Sequence, residues 1–281
     1  MDFRKWSNRY STDCKLKYNS LATQKNYTNQ VNSFLYYFRE FREPKEIPTD
    51  GIKQWLLEAK STNTRNHRLC AIKSFYEITV GMPVKLDRIP FAKKEQSLPM
   101  PLSLQEVQSL IQHCENKKHL AIISLLFGCG LRVGEVLNLE PCHIDRANGV
   151  IHIINGKGAK DRFVPMDENI LNVLEEYYRE FKPNKWLFNG QYSTPEKPTQ
   201  YTSSSINQFL KYIAKDAGIR KRIYAHLGRH SYASLLVSGG TDLGIIQNIL
   251  GHSNQKTTLI YAKISSARIS QIQSPIYKIL K

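Results

Sequence analysis

The chain has 281 residues, with 40 Lys+Arg against 24 Asp+Glu and a formal net charge of +16 at pH 7. Residues 1–100 carry 18 basic and 10 acidic side chains and residues 101–281 carry 22 and 14, so each part holds +8; this excludes a charged tail as the source and points to a polyanion, most often nucleic acid, engaged along the whole chain. The five cysteines are widely spaced with no CxxC pair, and the longest apolar run, LAIISLLFGCGL at 120–131, is too short to cross a bilayer, which excludes a disulfide framework, a zinc cluster and a membrane-spanning helix.

The N-terminus MDFRKWSNRY has no apolar signal core, so a soluble cytoplasmic protein is expected, associated with the nucleoid and not with a membrane. From about Leu21 to Phe41, Tyr27, Val31, Phe34, Leu35 and Phe38 recur at helical spacing. IPTDGIKQWLLEA begins a second helix near Thr49, and NTRNHRLCAIKSFYEITVG a third, with Leu69, Ile72, Phe75 and Tyr76 on one face and an end at Gly81 and Pro83. Residues 1–90 therefore predict a helical bundle with basic outer faces.

IPFAKKEQSLPMP holds three prolines and a charge cluster, and predicts an interdomain linker over 91–101. Ser103 and Glu106 form a capping box ahead of Val107, Leu110 and Ile111, and a second apolar helix covers 119–127. VIHII at 150–154 and RFVP at 162–165 flank NGKGAKD as a β-hairpin. Helical periodicity returns at 167–181 and is expected to continue to the C-terminus. The fold class is mainly α, with an N-terminal helical bundle and, over 102–281, a mostly helical domain carrying a small antiparallel sheet.

Four segments of that second domain offer polar groups beside glycines or turns. In GCGLRVGEVLNL, Arg132 opens a helix, where the macrodipole disfavours a cation, and Glu135 stands three residues on; a surface ion pair is the plainer reading. In INGKGAKDRFVP, Lys157 sits at a hairpin tip, either as solvated decoration or as a proton-bearing point charge for a phosphate. In AHLGRHSYASLLVSGG, His226, Arg229 and His230 cluster where an apolar helix begins, as a polar turn or as an anion site. GHSNQKTTLIYAK places Tyr261 nine residues after His252, and nothing within it distinguishes Tyr261 among 15 tyrosines. Together the segments form a chemical set: arginines to share phosphorane charge, a lysine and histidines to move protons, and a tyrosine to attack. No Asp/Glu pair suggests a metal and no GxxxxGK[ST] loop suggests nucleotide hydrolysis, so no cofactor is expected.

The order Arg, Lys, His-x-x-Arg, His, Tyr in these contexts resembles the tyrosine recombinase (phage integrase) family, including Xer-like recombinases. GCGLRVGEVLNL is similar to its first arginine box, GKGAKDRFVP to its β-hairpin lysine box, HLGRHSYASLLVSGG to its His-x-x-Arg-His box and LGHSNQKTTLIYAK to its His-x8-Tyr box. The match covers about 103–265, and the upstream helices resemble the family's SAM-like core-binding domain. One departure is visible: HxLRH reads HLGRH here, and Gly228 is expected to loosen the local packing. The resemblance implies that Tyr261 attacks the scissile phosphate to give a 3′-phosphotyrosyl link and a free 5′-hydroxyl. Arg132, Arg229 and His252 would hold the non-bridging oxygens, Lys157 would protonate the leaving oxygen and His226 would serve as acid/base. Glu135 would support the site without reacting, as would His230, with a role less defined. It further implies a double-stranded DNA recombination site, and a homo-tetramer (or hetero-tetramer with a related recombinase) exchanging strands through a Holliday junction, with accessory proteins. The segment after Tyr261, with Ile269, Ile272 and Ile276, is expected to dock on a neighbouring subunit. A type IB topoisomerase shares the tyrosyl chemistry, and a DNA-binding protein without catalysis shares the charge; size and the N-terminal module favour the recombinase.

Overall fold

The structure is a computed structural model and describes residues 2–93, 100–154 and 161–251. The chain divides into two compact units, Met1–Ser97 and Leu98–Lys281.

The first unit holds α1 (Phe3–Lys17), α2 (Leu21–Tyr37), α3 (Thr49–Leu57) and α4 (Thr62–Phe75), the last continued by a wide π turn over Tyr76–Val80. Asp2, Ser20 and Ser61 cap α1, α2 and α4 by accepting from the backbone N–H of Lys5, Thr23 and Thr64, which satisfies donors the first turn leaves orphaned. Gly81, in the left-handed region at φ 78°, ends the π turn. Phe34 sits at the centre of the core, meeting Trp55, Phe75 and Tyr76 edge-on. Helix α1 was not expected from the sequence. Its buried stripe is Trp6, Tyr10 and Cys14, four residues apart, with Phe3 partly buried against the same core, on a helix that is mostly polar elsewhere.

The second unit begins with α5 (Leu104–Gln112), whose capping box is complete: Ser103 Oγ accepts from Glu106 N and Glu106 Oε2 from Ser103 N. Helix α6 (Lys117–Ile123) runs into a π turn over Ser124–Gly128, and α7 (Val133–Asn138) follows. The sheet has three antiparallel strands in the order β1 (Ile144–Asp145), β2 (Val150–Ile153) and β3 (Arg162–Pro165). Ile151 pairs with Ile144 on one side and Val164 on the other, and Ile151, Ile153 and Val164 are buried beneath it. The two-residue β1 adds to the expected hairpin; it is too short to show alternation. Helices α8 (Glu168–Phe181), α9 (Ser203–Asp216), α10 (Ala225–Ser238) and α11 (Leu243–Leu250) complete the described residues.

Two expectations need correction. Helix does not persist after 181: residues 182–202 are irregular, with a lone bridge between Asn189 and Gln200. Lys182 turns left-handed at φ 40°, and Pro183, Pro195 and Pro198 cannot supply helix donors. Nor does Gly228 loosen the packing. A Cβ there would lie 3.0 Å from the C and O of Leu126, so the glycine lets α10 press against the Ser124–Gly128 turn. The apolar contact falls to Leu227, which is buried.

Candidate active site

Three elements converge where α7 begins, where β3 begins and where α11 ends. Arg132 is the N-cap residue of α7, an unfavourable place for a cation beside a helix amino terminus. Its guanidinium turns instead to Glu135, with Nη1 2.6 Å from Oε1, and Nη2 donates to the carbonyl of Gly251 at 3.2 Å. Glu135 is not the surface partner of the plainer reading. Its side chain is 8% exposed, and a second arginine, Arg162, donates from Nη1 and Nη2 to Oε1 and Oε2 at 2.8 Å each. The backbone N–H of Arg132 adds a fourth bond, 2.8 Å to Oε2. Four donors fill the lone-pair directions of one carboxylate, so Glu135 has no acceptor left for a reacting group. Burial alone would raise its pKa; the bonds and charges of Arg162 and Arg132 outweigh burial and hold it at about 2.

Arg229 lies on α10 and is 1% exposed. It donates to the carbonyl of Gly130 at 3.0 Å and, from Nη2, to the carbonyl of Leu250. Gly130 is left-handed at φ 64°, and a Cβ on it would collide with the ring of Tyr232, so the loop before Arg132 requires glycine there. With Arg162 Nε on the carbonyl of Ile249 at 2.8 Å, three arginines grip three successive carbonyls, Ile249, Leu250 and Gly251. These are the groups a helix carboxyl terminus leaves unpaired, and they carry the negative end of its dipole.

His226 is exposed near the start of α10, whose first N–H, that of Ala225, is capped by Asn207 Oδ1 at 2.8 Å. It lines, with Arg132 and Glu135, an open cavity of about 360 Å³ whose wall includes His143 and His152. His230 stands one turn on, its ring edge-on to that of His226 with centroids 4.7 Å apart. Burial, and then the neighbouring His226 and Arg229 charges, push the pKa of His230 down to about 4, so its ring is neutral at pH 7.

Of the expected residues, Arg132, Glu135 and Arg229 therefore share one network through the end of α11, with His226 beside Arg132 in the cavity wall and His230 behind it. Lys157, His252 and Tyr261 lie outside the described residues. Sequence reasoning missed Arg162. Its signal was available: on a strand whose alternate residue Val164 faces the core, a cation at 162 must be buried and therefore paired.

A family model for the phage integrase family matches residues 101–268, and one for the phage integrase N-terminal SAM-like domain matches residues 6–86. The chain is 30% identical over 273 residues to the integrase/recombinase-type protein y4qK of Sinorhizobium fredii, covering 95% of this chain and 87% of the relative. It is 28% identical over 249 residues to tyrosine recombinase XerA of Pyrococcus horikoshii, covering 86% of each. Among solved structures, the XerH site-specific recombinase bound to a palindromic difH substrate shares the fold, with a TM-score of 0.73 at 23% identity over 94% of this chain and 83% of that one. The chain thus belongs to the phage integrase family, the tyrosine recombinases, enzymes that break and rejoin DNA strands.

Proposed function

We propose that the chain recombines DNA at a specific site, using Tyr261 as nucleophile. The phenolic oxygen attacks the scissile phosphate, a 3′-phosphotyrosyl ester forms, and the 5′-oxygen leaves with a proton from Lys157. Arg132 and Arg229 carry the charge of the pentacoordinate phosphorus with a hydrogen bond from His252, and His226 exchanges the nucleophile's proton. The ester conserves the energy of the broken bond, so rejoining by the incoming 5′-hydroxyl requires neither ATP nor metal. Four protomers on two duplexes would exchange strands through a Holliday junction.

The observation that carries this reading is the convergence of Arg132 and Arg229 on adjacent carbonyls, Gly251 and Leu250, immediately before His252. Two buried or half-buried cations from separate elements meet at the root of the segment that bears the tyrosine. The test uses duplexes that the protein recovers from a random-sequence library, resynthesised with a nick among their central bases. A covalent protein–DNA adduct is expected, and Tyr261→Phe is expected to abolish it. Relaxation of arbitrary supercoiled plasmid without site preference would instead mark a topoisomerase, and binding without any adduct a catalytically silent DNA-binding protein.

A further inference from the structure

Arg162 serves two elements with one planar group. Its Nη1 and Nη2 hold both oxygens of Glu135, and its Nε holds the carbonyl of Ile249, each at 2.8 Å. Its stem lies against Gly251, where an added Cβ would come within 2.9 Å of Arg162 Cδ. The same carboxylate holds Arg132, whose other arm reaches the carbonyl of Gly251. The start of α7, the start of β3 and the end of α11 are thereby joined at a single guanidinium. The chain then passes directly to His252 and, nine residues later, Tyr261.

We propose that Arg162 is a positioning residue for strand cleavage: it fixes the carboxyl end of α11 against the Arg132–Glu135 pair and so sets the point from which the chain continues to His252 and Tyr261. This rests on the assignment of Tyr261 as nucleophile. Arg162 acts through its neighbours and not on the phosphate. Three of its N–H donors are held by Glu135 and the carbonyl of Ile249, and the proposal places its effect on the cleavage rate, with DNA affinity unchanged. A lysine can keep the charge beside Glu135 but cannot form the fork and reach Ile249 together.

The experiment measures single-turnover adduct formation on the nicked duplex, against DNA concentration, for the wild type, Arg162→Gln and Arg162→Lys. Near-UV circular dichroism at the assay temperature reports the folded fraction. The expected result is a limiting cleavage rate lowered about a hundredfold in Arg162→Gln, as a misplacement of about 1 Å produces. The half-saturating DNA concentration stays unchanged, and Arg162→Lys recovers part of the rate. Wild-type cleavage by folded Arg162→Gln overturns the proposal, and so does a rate loss that follows DNA affinity or folded fraction. If Arg162→Gln does not fold, the same comparison is made with Arg162→Lys. A wild type that forms no Tyr261-dependent adduct defeats the nucleophile assignment; a wild type that cleaves no faster than either variant defeats only the role of Arg162.

Discussion

Arg162 and Glu135 meet as a two-pronged pair, Nη1 and Nη2 each 2.8 Å from a carboxylate oxygen, with side chains 10% and 8% exposed. Removing one member of such a pair strands buried charge, a larger loss than the pair's own net contribution. Glu135→Ala, which strands two arginines, should destabilise the second unit by roughly 3–5 kcal/mol. Chemical denaturation followed by circular dichroism measures this; a loss below 1 kcal/mol would mean that the pair behaves as an exposed one.

Stability should fall on acidification in two stages. The pKa of His230 is near 4 in the fold against an ordinary 6.5, so the unfolded chain takes up a proton first and stability declines as pH drops from 6.5 towards 4. Glu135, held near 2 against an ordinary 4.5, contributes fully above 4.5 and loses its contribution as pH drops from there towards 2. Melting temperature against pH checks both. His230→Asn should flatten the upper stage and leave the lower.

Gly228→Ala should cost about 1–3 kcal/mol, the usual toll of overpacking. The added methyl would meet the backbone of Leu126, which cannot rotate away. An unchanged melting temperature would show that α10 can retreat from the Ser124–Gly128 turn without loss.

Gly251→Ala meets two obstacles. Its φ of 61° is left-handed, which costs an L-residue about 1–2 kcal/mol, and its Cβ would strike an Arg162 stem pinned at the far end by three hydrogen bonds. Adduct formation should slow with DNA binding intact, as gel-shift and denaturing-gel assays on one duplex would report.

Affinity for nonspecific duplex DNA should fall linearly in log–log form as salt rises, because the +16 chain displaces counterions from phosphates. With several phosphate contacts the loss between 50 and 200 mM salt is on the order of a thousandfold. Fluorescence anisotropy measures it, and a nearly flat response would contradict an electrostatic footprint over both units.

What the sequence made legible depended on how many residues wrote each feature. Helix α2 declared itself through Val31, Phe34 and Leu35, and α5 through its capping box, whereas α1 carried one narrow stripe and β1 had two residues. The boxes around Arg132 and Arg229 were legible as local patterns. The carbonyls they bind at Leu250 and Gly251 were not, since backbone acceptors leave no trace in residue identity. Gly228 misled for a related reason: a missing side chain reads as a gap when what it allows is the approach of Leu126.

Helix α11 buries Ile246 and Leu250 in a small cluster with Ala233 and Val237 of α10, while its Ile249 packs against the main core of the second unit. Opening of α11 is predicted to need only the loss of that cluster, of the Ile249 contact and of the arginine bonds to Ile249, Leu250 and Gly251, and so to cost less than global unfolding. Hydrogen exchange is expected to show the amides of Leu243–Leu250 exchanging before those of α5 and α9. On the proposed assignment of Tyr261 as nucleophile, the rate of adduct formation should follow hydrogen exchange over Leu243–Leu250 more closely than it follows the melting temperature.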